Sequence, residues 1–157
     1  MRLSENLSLA EFIKSRTAKR KGIDNSIKSD KHLANAAVLA ENIFQPIRDH
    51  FDSPIYVSSG YRSPELNRII GGSTSSQHCK GEAIDIDMDR KSEITNSDVF
   101  HFIKDNLEFD QLIWEFGDDK NPSWVHVSHK RLGDNRGNVL IAYTNRNGKP
   151  RYKKWVD

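Results

Sequence analysis

Two of the six histidines lie in contexts that could support chemistry. His78 follows a run of small polar residues, and His126 alternates with valines in a short β-like run, so its side chain points away from the apolar face of that run. Asp85 comes seven residues after His78, beyond a glycine that permits a tight turn. Two imidazoles and one carboxylate form the open ligand set of a catalytic zinc, in which water completes the coordination. The spacing alone leaves a second interpretation open, that these are three unrelated polar side chains.

The elements that would position these side chains follow from residue patterns. Residues 55–59 are β-rich and end at a glycine, and Ser63-Pro64 then predicts the N-cap and first turn of a short helix. Residues 83–88 alternate apolar and acidic side chains, which predicts a strand with one solvent-facing side. Residues 124–128 predict another strand, so both sides of the candidate site would lie on or beside strands.

The rest of the chain predicts an α+β fold: an antiparallel sheet with helices packed on one face. A capping box at Ser8 begins a short helix, and residues 14–32 are polar enough to predict a surface loop. Residues 33–51 form the main amphipathic helix, which Pro46 should kink or split. The remaining predicted elements are a helix over residues 96–107 and strands over residues 111–116, 139–144 and 152–156.

Length and composition favour one domain over residues 1–157, with an N-terminal helical part (1–50), a metal-site core (51–130) and a C-terminal hairpin (131–157). The single cysteine excludes an intramolecular disulfide, and no apolar run is long enough for a membrane span. The N-terminus lacks the apolar core of a signal peptide, so we expect synthesis in the cytoplasm. A net charge of +2 does not indicate a nucleic-acid partner, and we expect a monomer.

A series of short motifs resembles the zinc D-alanyl-D-alanine peptidase family, which includes peptidoglycan carboxypeptidases and phage endolysins. The motifs, in order, are Ser58-Ser59-Gly60-Tyr61-Arg62-Ser63, Ser76-Gln77-His78, Asp85 and Trp124-Val125-His126-Val127-Ser128. The combination is far more specific than any single motif. The chain looks most like the small phage-type branch, and the resemblance implies a Hedgehog/DD-peptidase-like fold.

The resemblance also implies roles for individual residues. It implies that zinc is bound by His78, Asp85 and His126. It also implies that Arg62 holds the carbonyl or carboxylate of the substrate. A guanidinium could both pair with a carboxylate and stabilise an oxyanion. Ser76 and Gln77 would shape the loop that presents the first histidine and would hydrogen-bond the substrate.

The general base does not transfer directly from the family pattern. Several branches have an acidic residue three positions before the last histidine, whereas this chain has Ser123, which cannot accept a proton in that role. Glu115, at the end of the strand predicted over residues 111–116, is the best acidic substitute. Asp118 and Asp119, on the loop that follows, are the competing candidates.

The function implied is zinc-dependent hydrolysis of an amide bond involving a D-amino acid in peptidoglycan stem peptides, by a D,D-carboxypeptidase or an endolysin-like endopeptidase. Such an enzyme would reach the cell wall after release from the cell or as part of a phage particle. The alternative is a catalytically inactive wall-binding or phage structural module with the same fold, and Ser123 favours it.

Overall fold

A computed structural model describes all residues 1–157 and contains eight strands and six α-helices. The strands are β1 (Arg2–Ser4), β2 (Leu7–Ser8), β3 (Val57–Ser59), β4 (Ala83–Ile86), β5 (Gln111–Glu115), β6 (Trp124–Ser128), β7 (Asn138–Thr144) and β8 (Pro150–Lys154). The helices are α1 (Leu9–Ile13), α2 (Arg16–Lys21), α3 (Asp30–Leu39), α4 (Gln45–Phe51), α5 (Pro64–Ile69) and α6 (Asn96–Asn106). The fold is therefore α+β, as the sequence predicts.

Six strands form the main sheet in the order β3-β4-β6-β5-β7-β8. All neighbouring pairs are antiparallel except β5 and β7, which are parallel, so the prediction of a purely antiparallel sheet is wrong at this pair. The reason lies in the chain path. Strand β6 pairs with one edge of β5, and residues 129–137 then cross to its other edge, where β7 starts beside Gln111.

The two faces of this sheet differ in chemistry because successive side chains point to opposite sides. One face is apolar and carries α6, which contacts β5 and β6. Its side chains belong to a buried core that includes Ile84, Ile86, Leu112, Trp114, Val125 and Val127. The intervening side chains of the same strands, among them Asp85, Ile113 and His126, line a cleft on the opposite face. The predicted packing of helices on one face is thus what leaves the other face available for a site.

A helical segment runs from Asp30 to Phe51 and packs much of the apolar core. Its middle, Ala40–Phe44, is π-helical, and α4 continues directly beyond it with Pro46 in its first turn. The interruption predicted at the proline is therefore a wider helical turn immediately before it. Pro46 has no N–H to donate, so the regular α-helical hydrogen-bond pattern could not continue unbroken through this point. No helix of the chain combines the length and apolar character needed to cross a membrane.

The surface loop predicted over residues 14–32 is wrong, because this segment contains α2 and the start of α3. Ser15 and Ser29 cap the two helices by accepting hydrogen bonds from backbone N–H groups, and Gly22 ends α2 in the left-handed conformation. The segment has few large apolar residues, so helical periodicity could not reveal it. Its Asn25 is buried and joins two parts of the chain: the amide nitrogen donates to the carbonyls of Ile13 and Tyr61.

Candidate metal centre

His78 is held on a single turn of 3-10 helix, Gln77–Lys80, that precedes β4. Its ring is 1% exposed, and Nδ1 lies 2.7 Å from the carbonyl oxygen of Gly60. Because that oxygen can only accept, Nδ1 carries the proton and Nε2 has a free lone pair. Nε2 is buried and has no hydrogen-bond partner. A buried nitrogen with a free lone pair is the state expected of a metal ligand whose other ring nitrogen is fixed by a backbone carbonyl.

Asp85 and His126 are directly paired residues on the neighbouring antiparallel strands β4 and β6. The Oδ1 atom of Asp85 lies 2.9 Å from Nδ1 of His126 and 3.3 Å from Nε2 of His78. One candidate ligand atom from each of the three side chains falls within 4.8 Å of the other two. Strand pairing thus brings together residues that are 41 positions apart in sequence.

This set fits a divalent metal ion. It supplies two imidazole nitrogens and one carboxylate oxygen, which leaves room for a further ligand in a tetrahedral site. Burial opposes ionisation of Asp85, but the neighbouring imidazoles of His78 and His126 outweigh it and hold the pKa of that carboxyl well below its usual range. The carboxylate is therefore charged at neutral pH, as metal binding requires.

Arg62 reaches the same point from the turn between β3 and α5. Its backbone N–H donates to the carbonyl of His78 over 3.1 Å, and its guanidinium Nη2 lies 3.9 Å from Oδ2 of Asp85. Nη1 donates to the side-chain oxygen of Asn67 over 3.1 Å, while Nε is buried without a partner. Gly60 permits this path, since a Cβ there would overlap the carbonyl oxygen of Phe12.

Glu115 lies at the end of β5 on the cleft side and is 7% exposed. Burial raises the pKa of its carboxyl to about 7; Asp85 adds to the shift, whereas His126 and Arg62 oppose it. A carboxylate with this pKa can both accept and release a proton near neutrality.

The competing acids occupy other places. Asp118 accepts hydrogen bonds from the backbone of Lys120 and Asn121, and with Asp119 it lines a separate cavity of about 560 Å³ beside β7 and β8. Ser123 is exposed, and its N–H donates to the backbone carbonyl of Glu115. Of the predicted acids, only Glu115 lines the cleft of the three candidate ligands.

Ser76 and Gln77 also line this cleft, as the sequence predicts for the loop that presents His78. The hydroxyl of Ser76 accepts a hydrogen bond from the N–H of His78 over 3.2 Å and so caps the turn. The amide of Gln77 donates to the buried carboxylate of Asp110 over 3.1 Å.

The cleft has a volume of about 980 Å³ and includes residues that sequence reasoning missed. These are chiefly Lys80, Glu82, Lys130, Arg136 and Tyr152. Glu82 stands three residues before Asp85 and could have been considered as a second acid. The others had no local signal, since they reach the cleft only through the crossing loop, the last strand pair and the turn after His78.

Comparison with known proteins identifies a family whose match includes the candidate site. A profile of the peptidase M15 family matches residues 5–128, which is most of the chain and contains every predicted site residue. A search of curated proteins finds no match. The family match ends with β6, so β7 and β8 lie beyond it. M15 peptidases depend on a metal ion, and the group His78, Asp85 and His126 could hold one. The family predicted from the motifs is therefore confirmed: the chain belongs to the peptidase M15 family of metallopeptidases.

Proposed function

We propose that this protein is a zinc-dependent peptidase that hydrolyses an amide bond involving a D-amino acid in peptidoglycan stem peptides. The observation that carries the proposal is the meeting of five side chains in one cleft: His78, Asp85, His126, Arg62 and Glu115. The family match supports hydrolysis of a peptide, and the donor set of two imidazoles and one carboxylate favours zinc.

Each side chain has a distinct task in this proposal. A zinc ion held by His78, Asp85 and His126 would supply Lewis-acid polarisation to the scissile carbonyl and to a water molecule. Glu115 takes a proton from the attacking water as its oxygen bonds to the carbonyl carbon. The same carboxyl returns the proton to the leaving amine as the carbon–nitrogen bond breaks.

Arg62 stabilises the negative charge that develops on the carbonyl oxygen. Its guanidinium is 15% exposed on the side chain and is held by Asn67, so it need not reorganise during the reaction. Nη2, which lies 3.9 Å from the nearest oxygen of Asp85, remains able to donate a hydrogen bond to a substrate oxygen. Ser76 and Gln77, in the loop that presents His78, line the cleft where the substrate would bind.

The resemblance of the motifs extends the proposal in ways that the geometry leaves open. It favours Hedgehog/DD-peptidase-like packing, the small phage-type branch, a monomer, and action on the wall after release or within a phage particle. Terminal D-alanine removal and cleavage within a cross-link are both compatible with an open cleft of this size.

Three measurements test the proposed function together. Purified protein is assayed for zinc, and amine release from purified peptidoglycan is followed with and without a chelator. Mass spectrometry of the released muropeptides then identifies the bond. We expect bound zinc, chelator-sensitive release and a new terminus at a D-amino acid. Bound zinc without release would instead favour the inactive wall-binding module, the alternative suggested by Ser123.

A further inference from the structure

The cleft has a basic end that the proposed reaction does not use. Lys130 and Arg136 line it, and both belong to the segment after the family match. Their side chains are 32% and 51% exposed, so each can meet a ligand from solvent. The basic end is therefore formed by residues outside the segment that matches the family profile.

A fully buried carboxylate fixes these two cations in place. Asp110 is 0% exposed, accepts from Nε and Nη2 of Arg136 over 3.0 and 2.7 Å, and lies 3.5 Å from Nζ of Lys130. It also accepts from the amide of Gln77, which ties the basic end to the loop of His78. Burial opposes ionisation of Asp110, but Arg136 and Lys130 hold its pKa below the usual range.

Two cations share this one anion, so one positive charge is left over at the cleft. The contacts of Arg136 use Nε and Nη2, and Nη1 remains available as a donor. Glu82, which also lines the cleft, makes no ion pair with either cation. An arginine already held rigidly on one edge loses little freedom when it binds a second carboxylate.

The sheet register gives the spacing along the strands between Asp110, which holds the basic end, and the row of His126. Ile113 pairs with His126, and Gln111, two residues earlier, pairs with Ser128 next to Asp110. At about 3.4 Å per strand residue, the backbone of Asp110 lies about 10 Å along the sheet from the row of His126. An extended peptide covers that distance in two to three residues.

We propose that Arg136 and Lys130 form a specificity subsite for a substrate carboxylate located two to three residues from the scissile bond. The inference rests on the proposed function, since the ligand is part of the stem peptide. In such a peptide the α-carboxylate of the γ-linked D-glutamyl residue has the required separation from a D-alanyl carbonyl. The terminal carboxylate of a peptide bound further along the cleft has the same chemistry.

The test uses the pentapeptide L-Ala-γ-D-Glu-L-Lys-D-Ala-D-Ala in three forms: unmodified, amidated at the D-glutamyl α-carboxyl, and amidated at the C-terminus. Calorimetry measures dissociation constants with zinc-loaded Glu115→Gln protein, so binding is read without turnover. In this protein we expect the peptide amidated at the D-glutamyl carboxyl to bind about tenfold more weakly than the unmodified peptide. Adding Arg136→Gln to the same protein should make the two peptides bind equally. KM for the unmodified peptide should rise similarly in Arg136→Gln protein that retains Glu115, with kcat little changed.

Controls separate the subsite from general charge and from misfolding. Lys149→Gln removes the same charge from an exposed loop outside the cleft and should preserve the discrimination. Lys130→Gln, which leaves the Arg136–Asp110 pair intact, should weaken the discrimination in part.

If C-terminal amidation weakens binding instead, and Arg136→Gln removes that effect, the subsite stands with the terminal carboxylate as its ligand. If Arg136→Gln leaves the ratio of dissociation constants for amidated and unmodified peptides unchanged, the proposed subsite is wrong. If the unaltered protein cleaves none of the peptides, the proposed function fails for these substrates, while the calorimetric comparison still decides the subsite.

Discussion

The two halves of the main sheet are built differently. In the central strands β4, β6 and β5, most side chains are buried, Asp85 among them, and His126 is only slightly exposed. In the C-terminal hairpin of β7 and β8, all five residues of the edge strand β8 are exposed, and three of them are basic. A charged edge strand discourages pairing with other chains. The candidate ligands Asp85 and His126 thus lie in the buried half, whereas the exposed half contributes only lining residues such as Tyr152 to the cleft.

The sharpest test of this comparison removes a ligand from the central strands. In His126→Ala, we expect zinc to be absent and peptide hydrolysis to fall by at least about 10⁴-fold, because both Lewis-acid polarisation and substrate orientation are lost. Elemental analysis and amine release measure the two effects. Lys154→Gln in β8 is the matched control and should retain zinc and activity. Comparable losses in both variants would contradict the division of the sheet.

Glu115→Gln should separate metal binding from proton transfer within the buried half. We expect zinc to be retained and kcat to fall by about 10²–10⁴-fold, because an amide cannot accept the proton of water. Zinc content and turnover on the same preparation measure this. Full activity in the variant would show that Glu115 is not the general base, and Glu82 would then be the next candidate.

The pH dependence of activity should reflect the buried setting of Glu115. Its carboxylate must be ionised to act as a base, so activity should rise with pH, with a midpoint between the ordinary 4.5 and about 7. Below the midpoint the rate should fall about tenfold per pH unit. A profile of kcat/KM across pH 4–9 tests this, and a midpoint at an unperturbed carboxyl pKa would argue against burial of the base.

Stability should respond to the same group in the opposite direction. The unfolded chain releases this proton near pH 4.5, whereas metal-free folded protein holds it to about pH 7, so the folded state binds more protons between these values. Its free energy of unfolding therefore falls as pH rises through that window. Metal-free Glu115→Gln should lack this decline and be more stable at pH 8 by on the order of 2–3 kcal/mol. Urea denaturation at pH 5 and pH 8 compares the two proteins.

A pair of glycine substitutions affects stability alone and compares the turn before Arg62 with the turn before β8. Gly60→Ala places a methyl group against the carbonyl of Phe12, and we expect a loss of about 3 kcal/mol in unfolding free energy. Gly148→Ala, in the turn before β8, meets no neighbour but keeps a φ of +75°, and should cost about 1 kcal/mol. Equal losses in denaturant titrations would contradict the difference in packing.

Sequence reasoning located the parts of the site that carry strong local signals. Residues 124–128 alternate clearly and form β6 with the predicted bounds, and Ser63-Pro64 begins α5 as predicted. The meeting of Asp85 with His126 could be expected from the motifs, but its distances depend on strand register, which no local pattern encodes. The roles of the site residues remain predictions.

The misses have a common physical cause, which is dependence on distant partners. Helix α2 lacks an apolar stripe and is defined by its caps. The parallel pairing of β7 follows from the path of the crossing loop around β5. Arg136 reaches the cleft because a buried carboxylate holds it, and Asp110 gave no sign of that burial in sequence.

The buried amide of Asn25 has a practical consequence for dissecting this enzyme. Its nitrogen donates to the carbonyls of Ile13 and Tyr61, and its oxygen accepts from the N–H of Ser63. These bonds bracket Arg62 on both sides. A fragment that starts at residue 51 would leave those backbone groups to solvent, and the arginine would lose its anchorage. The N-terminal third of the chain thus supports the backbone on both sides of Arg62, and we expect a fragment without it to lose this part of the site.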